Sequence, residues 1–262
     1  MNLNKKLILI TGGSSGIGKA AAINLAKQGA EIIIQSRDIE KLKTTAAEIT
    51  NMGGKVHFIS TDLTKPKDVE ESAKKIINEI GLPDVIINSA GSGEWLSLEE
   101  ASMEHYATSM QSPYLATAYT CKAFNEEMLK RGGGHLININ SAACYFSFSK
   151  ATGYTAARWA MLGFTKSLQA DLYNTNLKVS MIAFGKVDSP YFKNNPKSED
   201  RIPRIVKWLI PTVTTDYCGK IIANTIKSKK STVIRPPMML ILATMNRYTP
   251  GMFRWIIRIT NK

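Results

Sequence analysis

The sequence predicts an α/β protein, a single doubly wound parallel sheet covered by helices on both faces, and three observations predict it. Six apolar runs recur as far as residue 184, segments rich in alanine, leucine, glutamate and lysine separate them, and glycine clusters punctuate the joins. Strands that read as continuous apolar runs are buried on both faces, the condition of a parallel sheet between two helical layers.

The elements follow in order. LILIT (7–11) comes after MNLNKK, is short, and runs into glycines instead of a cleavage site, so it reads as a buried strand and not as a signal peptide. EIIIQS (31–36), KVHFIS (55–60), DVIINSA (84–90), HLININS (135–141) and KVSMIAF (178–184) are the further strands. Helix-like stretches such as Lys19–Gln28 and Ile39–Asn51 lie between them and end at QGA and NMGG. No repeat, low-complexity run or linker interrupts the alternation, so residues 1–235 are expected to form one domain. Residues of about 190–213, beyond the sixth strand, belong to it. There Ile202, Ile205, Val206, Leu209 and Ile210 recur at helical spacing beside Trp208, fitting a core-facing helix or an apolar lid.

Composition narrows the function classes. A chain of 262 residues with 44% hydrophobic and 21% charged residues can bury a substantial core. Cys121, Cys144 and Cys218 are odd in number and lack ligand spacing, and His57, His105 and His135 are far apart in sequence. A reduced, cytoplasmic setting without a metal site is expected. The net charge is +13 and unevenly placed: no acid follows Asp216, while Lys220, Lys227, Lys229, Lys230, Arg235, Arg247, Arg254, Arg258 and Lys262 do. No nucleic-acid reader motif accompanies these cations, so a nucleic-acid partner is not expected.

TGGSSGIG, Thr11–Gly18, closes the first strand and opens a helix. Gly12 permits the sharp turn, Gly16 lets backbone approach a pyrophosphate, and Gly18 lets helix and strand pack closely, with Ser14, Ser15 and Ile17 on the same loop. The helix start adds unpaired N–H groups and a positive dipole end, as in a Rossmann-type dinucleotide site. The second strand ends QSRD, where an adenosine ribose would lie. Arg37 there suits a 2′-phosphate and favours NADP(H); the competing reading leaves Arg37 in solvent and gives the ribose to Asp38.

With these pieces the chain resembles a classical short-chain dehydrogenase/reductase as far as about residue 235. TGGSSGIG carries the resemblance with Asp62 and Leu63 after the third strand, NSAG (Asn88 to Gly91) after the fourth, and Ser141 thirteen residues before Tyr154. The resemblance implies that Asp62 contacts the adenine end, with Leu63 beside it, and that Asn88, Ala90 and Gly91 line the cofactor. In FGKVDS it places Gly185, Val187 and Ser189 at the nicotinamide amide, with Phe184 where the family has proline, and it implies that residues of about 190–213 cover the substrate. It also implies that Tyr154 transfers a proton, that Ser141 polarises the substrate oxygen, and that a lysine one turn after the tyrosine holds the nicotinamide ribose. That lysine position is Arg158, on the same helix face as Tyr154.

Arginine keeps the positive charge and brings more donors, but it does not readily exchange a proton and has a broader head. The position of the family's relay asparagine falls on Pro113, within MQSPYLATAYT, where a proline interrupts a helix. Gln111, Ser112 and Ser109 are the neighbouring candidates to replace it. Two functions therefore stand. One is an NADP-dependent oxidoreductase interconverting a carbonyl and a secondary alcohol on an apolar, lipid-like substrate. The other is a cofactor-binding protein with little or no turnover, a scaffold or redox sensor.

The tail, residues 236–262, is not a separate domain. Its longest apolar run, Met238–Ala243, is far too short to span a bilayer. Met252, Phe253, Trp255, Ile256, Ile257 and Ile259 accompany Arg254, Arg258 and Lys262, which fits a helix on an anionic membrane surface or a contact in a homo-oligomer.

Overall fold

The computed structural model describes residues 3–259. Its core is a seven-stranded parallel sheet built from β1 (Leu7–Thr11), β2 (Glu31–Ser36), β3 (Val56–Ser60), β4 (Val85–Asn88), β5 (Gly134–Ser141), β6 (Leu177–Phe184) and, after a short outlying pair described below, β9 (Thr232–Arg235). The spatial order is β3-β2-β1-β4-β5-β6-β9. The order reverses between β1 and β4, whose pairing runs from Ile8 opposite Val85 to Thr11 opposite Asn88. Connections leaving these two strands diverge, and a crevice opens at their C-terminal ends.

Alternation along each strand feeds two cores. Ile8, Ile10, Ile32 and Ile34 enter one apolar cluster with Leu25 of α1 (Gly16–Ala26) and Ile222 of α10 (Thr215–Ser228). Leu9, Ile33 and Ile86 enter the opposite one with Ile76 of α3 (Pro66–Glu79) and Phe124 of α5 (Ala116–Lys130). Consecutive residues on opposite faces, each buried, are what a sheet between two helical layers requires. Burial of each such isoleucine or leucine contributes about 1.5–3 kcal/mol.

The six expected strands form with end shifts of at most two residues, and α2 (Ile39–Asn51) has the expected bounds. Two elements differ. α1 begins at Gly16, three residues before the expected start, because the glycine turn itself delivers the chain into helical geometry. β9 is a seventh strand, held beside β6 by Val233 opposite Ile182 and Ile234 opposite Ala183.

Pro113 divides a helical region. α4 (Met103–Met110) is followed by a wide helical turn, Gln111–Leu115, before α5 begins. Ser112 within that turn is extended, φ −141° and ψ 117°, as expected of a residue preceding proline. α6 (Thr152–Asp171) then runs beside β5 and carries Tyr154 and Arg158.

Residues 187–214 span the segment expected to cover a substrate, called the cover below. β7 (Val187–Asp188) pairs with β8 (Val213–Thr214), and between them lie α7 (Pro190–Asn194), α8 (Pro196–Asp200) and α9 (Arg204–Leu209). The single amphipathic run expected near residues 202–210 is thus the last of three short helices. Proline at 190, 196 and 203 starts or precedes each of them.

Candidate active site

The glycine turn closes against the loop after β4. Gly12 has φ +67°, and a Cβ there would lie 2.9 Å from both the Ala90 nitrogen and its Cα. Any side chain would therefore force the two loops apart. A Cβ on Gly18 would run into the Gly12 carbonyl oxygen, so helix and turn pack as tightly as the motif suggests. Thr11, whose hydroxyl the motif reading assigned no role, pins the same junction: its Oγ1 accepts from the Ser89 and Ala90 amides at 3.1 and 3.2 Å.

Ser15 precedes α1 in an extended conformation and makes no side-chain cap, and no acid occupies the first turn. The N-terminal N–H groups and dipole end are left for an anionic group, which fits a dinucleotide pyrophosphate. Gly12, Ser15, Gly16, Ile17 and Gly18 line a cleft of ≈ 320 Å³ together with Gly91, Gly185, Val187 and Ser189. Ser14 lies on the turn outside that lining. Asn88 and Ala90 also lie outside it: Asn88 is buried below the cleft, donating to Asn138 Oδ1 at 2.9 Å and to Cys121 Sγ at 3.3 Å, while its own Oδ1 has no partner. Burial pushes the Cys121 thiol up to about 12, against the opposing Asn88 hydrogen bond, so it packs as an inert group.

Beyond the C-terminal ends of β2 and β3, Arg37 and Asp62 line a second concavity of ≈ 650 Å³ with Ser60 and Lys75. The Ser60 hydroxyl donates to the Arg37 carbonyl at 3.0 Å and fixes that backbone, leaving the side chain exposed. Asp38 is engaged elsewhere. It caps α2 by accepting from the Lys41 amide at 3.1 Å and pairs with Lys41 Nζ at 2.8 Å, contacts that hold its carboxyl below the usual range. Asp62 accepts from the Thr64 hydroxyl at 2.7 Å and amide at 3.1 Å. The hydroxyl contact leads in lowering its carboxyl, with the nearby Arg37 and Lys65 charges adding to it. Leu63 turns into a small apolar cluster with Val69 and Ala116.

Ser141, Tyr154 and Arg158 all line the first cleft. Ser141 ends β5, and its Oγ accepts from the Ala143 amide at 3.3 Å. Asn140 joins β5 to α6: its Nδ2 donates to the Arg158 carbonyl at 3.1 Å and its Oδ1 accepts from the Ser141 amide at 2.8 Å. This residue lines the cleft and was missed from sequence, although it precedes Ser141.

Tyr154 and Arg158 are 6% and 8% exposed. The guanidinium carbon lies 5.1 Å from the Tyr154 ring centroid, a cation–π arrangement. The head reaches across to the loop after β4, where a Cβ on Gly91 would come within 3.1 Å of Nη2 and 3.6 Å of Pro113 Cβ. Arg158 Nε has no hydrogen-bond partner, and among the described residues no carboxylate pairs with this side chain. A buried cation without a counter-charge is costly unless a ligand supplies polar groups. Pro113 and the guanidinium thus both stand against Gly91, and Ser109, Gln111 and Ser112 do not line the cleft. Ser109 instead contacts His105 Nε2 at 3.3 Å.

Aromatic side chains wall the Tyr154 ring. Trp95 stands 5.4 Å away and Tyr191 6.2 Å away, centroid to centroid, and Trp95 stacks on Phe148 at 5.2 Å. Tyr191 donates to the Gly93 carbonyl at 2.5 Å; burial, followed by neighbouring Tyr154, pushes its phenol well above the usual range. The cover is also tied down by Ser198 Oγ, which accepts from the Trp95 amide at 3.2 Å, and by Arg201, which bonds the Trp95 carbonyl and pairs with Glu100 at 2.5 Å. The Arg201 contact pulls the Glu100 carboxyl to about 2. These partners lie about a hundred residues apart, and no local spacing announces them.

A central parallel sheet with a glycine turn at its switch point, and a serine, a tyrosine and a cation on one cleft wall, define a dinucleotide-dependent oxidoreductase architecture. Comparison with known proteins agrees: the family model for short chain dehydrogenases matches residues 6–200, and the chain belongs to that family. An uncharacterized oxidoreductase of Thermotoga maritima is 32% identical over 224 residues, covering 84% of this chain and 87% of that protein. In fold, the chain is similar to a short chain dehydrogenase/reductase from Burkholderia phymatum in complex with NAD, with TM-score 0.85, 20% identity, and 96% of each chain covered. It is also similar to an alcohol dehydrogenase from Thermococcus sibiricus complexed with 5-hydroxy-NADP, with TM-score 0.77, 24% identity, and 88% of this chain and 96% of that one covered.

Proposed function

We propose that the protein is an NADP(H)-dependent oxidoreductase that interconverts a carbonyl and a secondary alcohol on an apolar substrate. The observation that carries this reading is the shared cleft. Ser141, Tyr154 and Arg158 line it between the glycine turn and the apolar cover residues Phe192, Ile202 and Val206. The bound cofactor supplies or accepts the hydride at the carbonyl carbon. Tyr154 passes a proton to the carbonyl oxygen in reduction and takes it back in oxidation, and the Ser141 hydroxyl donates to that oxygen as charge develops. Arg158, with its unpartnered Nε, offers donors to ribose hydroxyls and keeps a positive charge beside the phenol. Trp95, Phe148 and Tyr191 keep water from the reacting atoms.

NADP(H) is favoured over NAD(H) because Arg37 is exposed at the edge of the second concavity, whereas Asp38 is spent on the α2 cap and on Lys41. Arg37→Ala should erase most of an NADPH preference. A charge-assisted contact is worth about 1.5–3 kcal/mol, roughly tenfold to a hundredfold in affinity. Fluorescence titration of both reduced cofactors checks this, and equal affinities in the unsubstituted protein contradict it.

A second reading, cofactor binding with little turnover, has its own observations. The Arg158 head lies over the Tyr154 ring, and Pro113 offers no amide where the family has its relay asparagine. Turnover assayed on the same samples that bind NADPH separates the two readings.

A further inference from the structure

The chain beyond β9 forms two helices whose outer faces the redox site does not use, α11 (Pro237–Tyr248) and α12 (Pro250–Ile259). α11 is anchored along one face. Met239, Leu242 and Ala243 enter an apolar cluster with Val206, Leu209 and Ile210 of the cover, and Asn246 Nδ2 donates to the Tyr145 carbonyl at 2.7 Å. These positions, at i, i+3, i+4 and i+7, share one side of a helix. Met238, Ile241, Met245 and Tyr248, at i, i+3, i+7 and i+10, share the opposite side, and all four are exposed. α12 repeats the arrangement with exposed Met252, Trp255 and Ile259 at i, i+3 and i+7; Trp255 is 61% exposed. Consecutive helices with outward apolar stripes mark an interaction surface.

Charge decides what covers it. Residues 217–262 contain no aspartate or glutamate, and the segment 236–262 carries Arg247, Arg254, Arg258 and Lys262. Lys229 and Lys230, by contrast, precede β9 and lie at the opposite end of that strand from α11. A second copy of this chain would set the same tail cations against each other. An anionic bilayer would neutralise them while its acyl boundary took up the stripe. Helices of 12 and 10 residues are too short to cross a bilayer, and among the described residues no helix is long and apolar enough to do so.

We propose that α11 and α12 dock in the plane of an anionic lipid bilayer through this stripe. The docked face lies one helix from the redox cleft. Met239, on the inner side of α11, and Ile210 both abut the cleft-lining Gly185, where a Cβ would meet them at 2.7 and 3.0 Å. A helix is about 10 Å across with its side chains, so an apolar substrate dissolved in the bilayer would be held close behind the cleft wall. That consequence rests on the proposed oxidoreductase function; the docking does not.

The test is sedimentation of the full chain with vesicles of phosphatidylcholine alone and of phosphatidylcholine with phosphatidylglycerol, at low and high salt. The protein should pellet with the phosphatidylglycerol vesicles at low salt, and at least about tenfold less with the neutral ones or at high salt. Ile241→Ser with Trp255→Ser should lower that binding by about tenfold or more. Both side chains are exposed, so the melting temperature should hold; Trp255→Ser alone is the milder variant should the pair fail to fold. NADPH titration reports separately on the redox reading: vesicle binding without cofactor binding overturns that reading and leaves the docking intact. Equal binding to neutral vesicles, or none to either, overturns the docking. A chain that ignores vesicles and forms a dimer dissolved by the double substitution gives the stripe to a second copy, and also overturns it.

Discussion

Arg158 carries a permanent charge into a nearly dry corner and meets an aromatic ring where a carboxylate would be the usual partner. Its stacking on Tyr154 and its reach to Gly91 place a broad planar head where the family has a compact ammonium. Arg158→Lys should retain NADPH binding and raise turnover, because a misplacement of about 1 Å can cost on the order of a hundredfold in rate while binding draws on the whole groove. Steady-state kinetics with a reducible ketone checks it; lower turnover in the lysine variant would make the arginine an adapted catalytic group. The Tyr154–Arg158 pair was legible because four residues make one helical turn, and Ser141 was legible through its distance from Tyr154. Trp95, Tyr191 and Asn140 were not. The first two meet Tyr154 through folding of distant segments, and Asn140 acts by bonding the Arg158 backbone, which no residue type announces.

At the scale of elements, six strands could be read because their apolar runs are long enough to be buried on both faces. β9 could not: four residues, TVIR, follow a polar and basic stretch, and only Val233 and Ile234 are buried. Within the cover only the run near residues 202–210 was read as a helix, while prolines start two further short helices before it, and Trp208, which fell beside that run, is 83% exposed. β5 also carries a pH-sensitive group unrelated to the cleft. His135 is buried, bonds Ser180 Oγ at 2.8 Å, and has no partner at Nδ1. Burial first, then the Lys229 charge, lowers its pKa from 6.5 to about 4. Between those values the unfolded chain binds a proton that the folded chain refuses, so stability is complete above 6.5 and is lost as pH falls towards 4. The loss is on the order of 3 kcal/mol. His135→Gln should flatten that part of the profile in urea unfolding at pH 7, 5.5 and 4.5; an unchanged slope would contradict the assignment.

For the whole molecule, the cleft is assembled from the ends of β1, β4, β5 and β6, the start of α6, and the cover, so its parts come from the full length of the family match and beyond it. Motif spacing made the floor readable, since the glycine turn and the Ser141–Tyr154 interval are local. The contacts of the cover were not readable, since Tyr191, Ser198 and Arg201 have their partners about a hundred residues away, on the loops around Gly93 and Trp95.

The most direct measurement is NADPH oxidation over a panel of apolar ketones by the unsubstituted protein and by Tyr154→Phe, with NADPH affinity determined on the same preparations. Loss of a positioned acid costs about 10²–10⁴-fold. The expected result is turnover of at least one ketone, a fall of that size in the phenylalanine variant, and NADPH affinity held within about threefold, since cofactor binding draws on the whole groove. Equal turnover in the two proteins would contradict the role of Tyr154. NADPH binding without turnover of any ketone would contradict the oxidoreductase reading itself.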